Sequence, residues 1–254
     1  GVTSLNLGYI LKTLFRAIVF ALSLSFIIFL IYSLSTGYLH KLMVAYMFPD
    51  DFEPSYNAVQ VLYPLKVGSE PSPETTAVSA IVMDRKKGKI LLEKNPEASL
   101  APASTAKLMT ALVALDIYNL DEDLTVSEYC TTFEGAKAWL PKDSKFKVKD
   151  LLESMLIGSA GDSACVLATS KFSEVEFIEK MNEKAKEIGM DSTHFSNPVG
   201  FDDALGNNYS TVLDLYKLSV RVTSIPEIKE TVKKKSVMVS SVDRAYNSTI
   251  VNTN

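Results

Sequence analysis

From Ala17 to Leu39 the chain runs without an Asp, Glu, Lys or Arg, and Phe20, Leu22, Phe26, Ile27, Ile28, Phe29, Leu30 and Ile31 crowd its middle. A helix needs about 20 apolar residues to cross a bilayer core, so this segment has the length and composition of a transmembrane anchor. A secretory signal peptide is the main rival, but its apolar region is shorter, about 7–15 residues, and a small-x-small cleavage site is not evident here. A buried core helix is the other rival; a surface helix of a soluble domain would show a polar face, and this run has none. Lys12 and Arg16 precede the run, whereas Asp50, Asp51 and Glu53 follow it. The positive-inside rule then puts the N-terminus in the cytoplasm and the rest outside. Residues 1–16 are expected to form a cytoplasmic tail, 17–39 the anchor and 40–76 a juxtamembrane linker rich in Pro and aromatic residues. His40 is expected at the membrane edge. The chain begins with Gly1 rather than Met, which reads as a processed or missing start.

The remainder, 77–254, suits one medium globular domain. Thirty acidic against 26 basic side chains give a net charge of −4, with no basic surplus to neutralise a phosphate backbone, so nucleic acid is not an expected partner. Two histidines and two widely separated cysteines provide neither a zinc cage nor a cystine framework. Cys130 and Cys165 are expected as two buried free thiols rather than a disulfide.

Two short apolar runs, 77–84 and 89–93, flank the polar turn Arg85-Lys-Lys-Gly88 and predict a hairpin. Ser104 to Tyr118 predicts a helix apolar on nearly every side, hence buried. Further helices are expected over 163–171, 175–188 and 211–223, the first entered from the apolar run 151–157, with a strand at 236–240. Strands at both ends and helices between them predict an α+β domain.

Ser104-Thr-Ala-Lys107 sets a hydroxyl and an amine at i and i+3, neighbours on one helix face. A serine nucleophile needs a base within hydrogen-bond reach, and a lysine serves if burial depresses its pKa. The spacing alone is weak, since Ser144-Lys-Phe-Lys147 repeats it in a solvated-looking run. What separates the two is the apolar helix behind Lys107, which has no carboxylate partner in local sequence.

The order of segments resembles the serine D-Ala-D-Ala carboxypeptidases, the low-molecular-weight penicillin-binding proteins. The hairpin with Asp84 and Gly88, Lys94-Asn95 and Pro102-Ala-Ser-Thr-Ala-Lys-Leu-Met-Thr-Ala111 are similar to the family's opening, and Leu156-Ile-Gly-Ser-Ala-Gly-Asp-Ser-Ala164 to the segment of its second motif, Ser-x-Asn. Thr193-His-Phe-Ser-Asn-Pro-Val-Gly-Phe-Asp202, Tyr209-Ser-Thr-Val-Leu-Asp214 and Val251-Asn-Thr-Asn254 are similar to later family segments. The resemblance implies a β-lactamase/transpeptidase-like fold, a helical cluster packed on an antiparallel sheet. It also implies acyl transfer on peptidoglycan stem peptides ending in D-Ala-D-Ala, no metal or cofactor, and acylation by β-lactams. Ser104 would be the nucleophile, Lys107 its base and Ser159 the relay towards the leaving amine, with the Ser104 N–H as an oxyanion donor. The setting would be a bacterial cell membrane, single-pass, with the catalytic domain outside.

Two departures stand out. Gly161 occupies the substrate-binding position where the family has Asn, and supplies no side-chain amide. The family's Lys-Thr-Gly motif does not occur before Asn254, so the chain reads as truncated at its C-terminus, with little or no turnover of its own. The rival from another class is a membrane-tethered pseudoenzyme that binds or scaffolds the wall. A β-lactamase is disfavoured because no Glu sits in a convincing deacylation segment after the second motif. Asp162 and Asp214 are expected as helix-start or ion-pair residues and His194 as a structural hydrogen-bonding group. Trp139 is expected in the core rather than bordering a groove, and Lys233-Lys-Lys235 on a solvated face.

Overall fold

The computed structural model of the chain describes residues 7–36, 73–202 and 205–253, which fall into two compact units, Gly1–Leu65 and Lys66–Asn254. In the first unit one helix, α1 (Leu7–Thr36), begins ahead of the expected anchor start at Ala17. Its stretch Leu11–Phe29 is long and apolar enough to cross a membrane, and among the described residues nothing buries it. Residues 37–39 of the expected anchor, His40 and most of the expected linker, 40–72, lie outside the described residues.

The second unit opens with a hairpin, β1 (Ala80–Asp84) and β2 (Lys89–Lys94), antiparallel with a bulge at Val82/Met83. Its turn closes because Asp84 Oδ1 accepts the N–H groups of Lys86 and Lys87 while Gly88 supplies the positive φ of +64°. A 3₁₀ turn, Ala103–Thr105, leads into α2 (Ala106–Ile117), whose residues Ala106 to Ala114 are buried apart from Leu108. Around it pack α4 (Val148–Gly158), α5 (Gly161–Thr169), α6 (Glu174–Glu187) and α7 (Val212–Thr223). A capping box between Ser173 and Glu176 starts α6, and the Thr211 hydroxyl accepts the Asp214 N–H to start α7.

Among the elements not anticipated are β3 (Asp123–Thr125), the four-residue α3 (Glu128–Thr131) and α8 (Pro226–Val232). The run around Ser144 and Lys147 is not simply solvated. It forms β4 (Lys145–Lys147), paired with β3, and buries Phe146 completely between two lysines that face outwards. The C-terminal hairpin of β5 (Ser236–Ser240) and β6 (Asn247–Val251) packs on α4. The α+β expectation holds, but the described strands form three separate two-stranded antiparallel ladders rather than one sheet.

The expectation of free thiols is overturned. Cys130 and Cys165 form a disulfide with Cα atoms 5.4 Å apart, because α3 packs against α5; both cysteines are buried. Trp139 is not in the core either. Its backbone is left-handed at φ +59°, the side chain is 75% exposed, and the Lys137 ammonium lies 5.1 Å from the ring centroid. The strap 138–140 that throws the indole outwards is held from beneath: Asp162 accepts the N–H groups of Ala138 and Leu140, both at 3.0 Å. Asp214 is both a helix-start and an ion-pair residue, bonded to Ser192 N–H, the Thr193 hydroxyl and Lys217. His194 is bonded through Nδ1 to the Asn207 carbonyl, and its ring stacks on Tyr209. Within 233–235, Lys233 is a surface ion pair with Glu230, but Lys234 reaches the buried Glu153 at 2.5 Å.

The disulfide closes a loop across a separation of 35 residues. Restricting the unfolded chain over that length is worth about 3–4 kcal/mol. Replacing both cysteines by serine, or adding reductant, should lower the urea unfolding midpoint of the domain accordingly; an unchanged midpoint would contradict the assignment.

Candidate active site

The nucleophile candidate sits on a sharply bent approach. Ala103 adopts a left-handed φ of +48°, Ser104 follows in the 3₁₀ turn with its side chain exposed, and the Thr105 hydroxyl donates back to the Pro102 carbonyl at 2.5 Å. One turn later Lys107 enters the buried face of α2, with 6% of its surface exposed. Its Nζ lies 3.2 Å from Ser104 Oγ and donates to the Val199 carbonyl at 2.8 Å. Burial pulls its pKa from 10.5 down to about 8, and desolvation is the cause, with no charged neighbour contributing.

The loop carrying Val199 fits against the serine turn because its next residue has no side chain. Gly200 stands at φ +87°, and a Cβ there would fall 1.8 Å from the Ala103 carbonyl oxygen. Any other residue would strain the backbone and displace the Ser104 turn. Thr110, one turn along α2 from Lys107, donates to the Pro198 carbonyl at 2.6 Å and ties the same loop down.

Ser159 ends α4 in a left-handed conformation (φ +56°, ψ +28°), the corner from which α5 departs. Among the described residues no hydrogen bond joins it to Ser104 or Lys107. Gly161 is the first residue of α5, and its N–H donates to the Ala136 carbonyl at 2.8 Å. A Cβ built on it would stand 3.8 Å from a Val199 methyl, 3.8 Å from the Phe133 ring and 3.5 Å from the Ala136 oxygen. The second-motif segment therefore reaches the loop whose carbonyl receives Lys107. Of the spare pair, Ser144 precedes β4 and Lys147 ends it, where Lys147 bonds to the Asp121 carbonyl and the Asp123 carboxylate and has no access to a buried base role.

Val199 and Gly200 are the site residues that motif reading left without a role. The Asn-Pro-Val-Gly run 197–200 carried a turn signal, but a carbonyl's direction has no sequence signature. Among the described residues no cluster of three or more His, Cys, Asp or Glu could hold a metal. A cavity of about 180 Å3, lined by Leu115, Leu152, Leu156 and Ile228 among others, lies at the other end of α2 and contains none of the candidate residues.

The arrangement can activate a hydroxyl: a desolvated amine sits beside it, and a neutral carbonyl orients that amine without fixing its charge. The same burial costs stability. In the wild-type chain the charged form is penalised in the fold at all pH values below about 8, and the penalty fades as pH rises towards 10.5, where the unfolded chain also loses the proton. Lys107→Met should therefore stabilise the domain at pH 7 by roughly 1–3 kcal/mol, with the gain shrinking above pH 8. Urea titrations of both proteins at pH 7 and pH 10 check this; a loss of stability at pH 7 would contradict it.

The sequence model of the family described as Peptidase_S11, D-alanyl-D-alanine carboxypeptidase, matches residues 66–254. The chain is 34% identical over 145 residues to the D-alanyl-D-alanine carboxypeptidase DacF of Bacillus subtilis, covering 55% of this chain and 37% of that protein. It is 32% identical over 185 residues to the D-alanyl-D-alanine endopeptidase of Escherichia coli, covering 72% of this chain and 59% of the relative. The chain thus spans well under two thirds of each of these two proteins. The crystal structure of the D-alanyl-D-alanine carboxypeptidase from Mycobacterium tuberculosis superimposes with a TM-score of 0.69 at 30% identity, over 74% of this chain and 70% of that one. With its fold shared and its residues 66–254 matched, the chain belongs to the D-alanyl-D-alanine carboxypeptidase family, Peptidase_S11.

Proposed function

We propose that the chain is a serine-type D-alanyl-D-alanine carboxypeptidase acting on peptidoglycan stem peptides through an acyl-enzyme. The observation that carries this is the contact of Ser104 Oγ with a buried, desolvated Lys107 Nζ at 3.2 Å. Neutral Lys107 takes the Ser104 proton as Oγ attacks the carbonyl between the two terminal D-alanines. The Ser104 N–H faces the developing oxyanion. The proton then passes to the departing amine, with Ser159 as relay, and D-alanine leaves. Water attacks the ester, gives a proton back through the same base, and restores Ser104. A β-lactam enters the first half of this cycle and acylates the same oxygen.

The surroundings fit a wall substrate. We place α1 in the membrane, with Lys12 and Arg16 on the cytoplasmic side and the second unit outside. The Cys130–Cys165 disulfide agrees with that side, since such bonds persist in oxidising surroundings. Gly161 favours a second reading, a tethered wall-binding protein with little turnover, because it provides no amide to hold the substrate or orient Lys107.

Fluorescent penicillin added to the full chain in membranes discriminates the two. The enzyme reading expects label on Ser104, none in Ser104→Ala, and an acylation rate that climbs roughly tenfold between pH 7 and pH 9 as Lys107, with a pKa of about 8, loses its proton. Absence of label at every pH favours wall binding. Gly161→Asn introduces a Cβ at ordinary contact distances and a backbone already suited to a side chain. It should raise the acylation rate about tenfold to a hundredfold, the worth of one charge-assisted hydrogen bond. A rate unchanged or lowered in a folded variant would show that the amide is not what the site lacks.

A further inference from the structure

The loop that delivers a carbonyl to Lys107 hangs on one side chain. Asn197 Oδ1 accepts the N–H groups of Val199 at 3.3 Å, Gly200 at 2.7 Å and Phe201 at 3.0 Å. Its Nδ2 donates to the Phe201 carbonyl at 2.9 Å and to the Ser196 hydroxyl at 3.3 Å. Pro198 has no N–H to offer. Three successive N–H groups therefore converge on one oxygen, and a backbone curled in this way turns its carbonyls outwards. Two of those carbonyls meet α2: that of Pro198 receives Thr110, and that of Val199 receives Lys107. Lys107 and Thr110 are i,i+3 neighbours on one helix face, so a single loop conformation satisfies both. The same curl sets Gly200 against the backbone of Ala103 and Ser104.

We infer that Asn197 is a positioning residue for the serine–lysine pair, aiming the Val199 carbonyl at Lys107 Nζ and seating Gly200 on the Ser104 turn. Calling Lys107 the base rests on the proposed function; the placement of its nitrogen does not. The dependence is sharpened by Gly161. Among the described residues, Lys107 Nζ has two hydrogen-bond partners, Ser104 Oγ and the Val199 carbonyl, and only the second is held by something other than the serine turn itself. Burial is the sole cause of the lowered Lys107 pKa, so that value reports whether the loop still covers the amine.

The test is an NMR titration of the full chain in detergent micelles with isotope-labelled lysine, Lys107 being identified by its absence in Lys107→Met. The wild-type amine should titrate near 8, and in Asn197→Ala, whose loop no longer excludes water, it should move towards 10.5. Asn197→Ser keeps a hydroxyl able to accept one of the three N–H groups and should fall between. Asn208→Ala removes the other amide bonded to the Phe201 carbonyl but leaves the N–H groups of Val199 and Gly200 untouched; Lys107 should stay near 8. The inference is overturned if folded Asn197→Ala still titrates near 8, or if Asn208→Ala moves Lys107 as far. Should Asn197→Ala not fold, Asn197→Ser decides by the same criteria. Penicillin acylation measured alongside separates the two claims. A titration that depends on Asn197 in a chain that never acylates retains the positioning role and removes the carboxypeptidase reading. Acylation unaffected by Asn197 does the reverse.

Discussion

An amine withdrawn from water at the start of a buried helix is the constraint around which the second unit is arranged. Lys107 can be desolvated only if α2 is surrounded, and α4, α5, α6 and α7 surround it, with Met109, Ala111, Leu112 and Val113 sealed among them. A buried ammonium without a partner would be costly enough to reshape the fold or lose its proton. Here it loses part of its affinity for the proton and keeps one carbonyl and one hydroxyl. The burial that costs stability at this point is also what leaves a less basic amine beside the Ser104 hydroxyl.

Two devices keep that arrangement from relaxing, and both act on backbone rather than on the side chains of Ser104 and Lys107. The curl at 197–201 presents carbonyls to α2 and lies so close to the serine turn that only glycine fits at 200. On the other side, the segment 127–140 is fastened to α5 three times: by the disulfide, by Asp162 under the strap at Ala138 and Leu140, and by the Gly161 N–H on the Ala136 carbonyl. Both carboxylate oxygens of Asp162 are thus engaged by backbone N–H groups, those of Ala138, Leu140 and Ser163. Phe133 and Phe201, one from each flank, stack at 6.2 Å and join the two sides at the rim.

Much of this was legible beforehand. The helices of α2, α6 and α7 carry either continuous apolar character or a clear apolar stripe, and the first hairpin has a turn whose chemistry is local. Ser104 and Lys107 could be picked out because i,i+3 spacing is a property of any helix. The four-residue α3 is too short to show a period, and β4 hid behind its lysines, since one buried Phe146 among alternating charges looks like a polar run. The thiol pairing failed for another reason: 35 residues of separation say nothing about distance once α3 and α5 are packed together. Trp139 was misplaced because an indole is read as core by composition, whereas here a left-handed backbone turns it out to solvent.

By itself, then, the sequence determined the apolar helix near the N-terminus, the buried helix behind Ser104, the serine–lysine spacing, the order of family segments and the glycine where an amide is expected. These depend on residue type and on separations of a few positions, where chain geometry leaves little freedom. Only the tertiary structure decided that the Val199 carbonyl is the partner of Lys107, that Asn197 curls the loop that delivers it, and that Cys130 meets Cys165. Those contacts join residues tens of positions apart, and the direction of a carbonyl or the approach of two helices follows from the packing of the whole core rather than from any local stretch of chain.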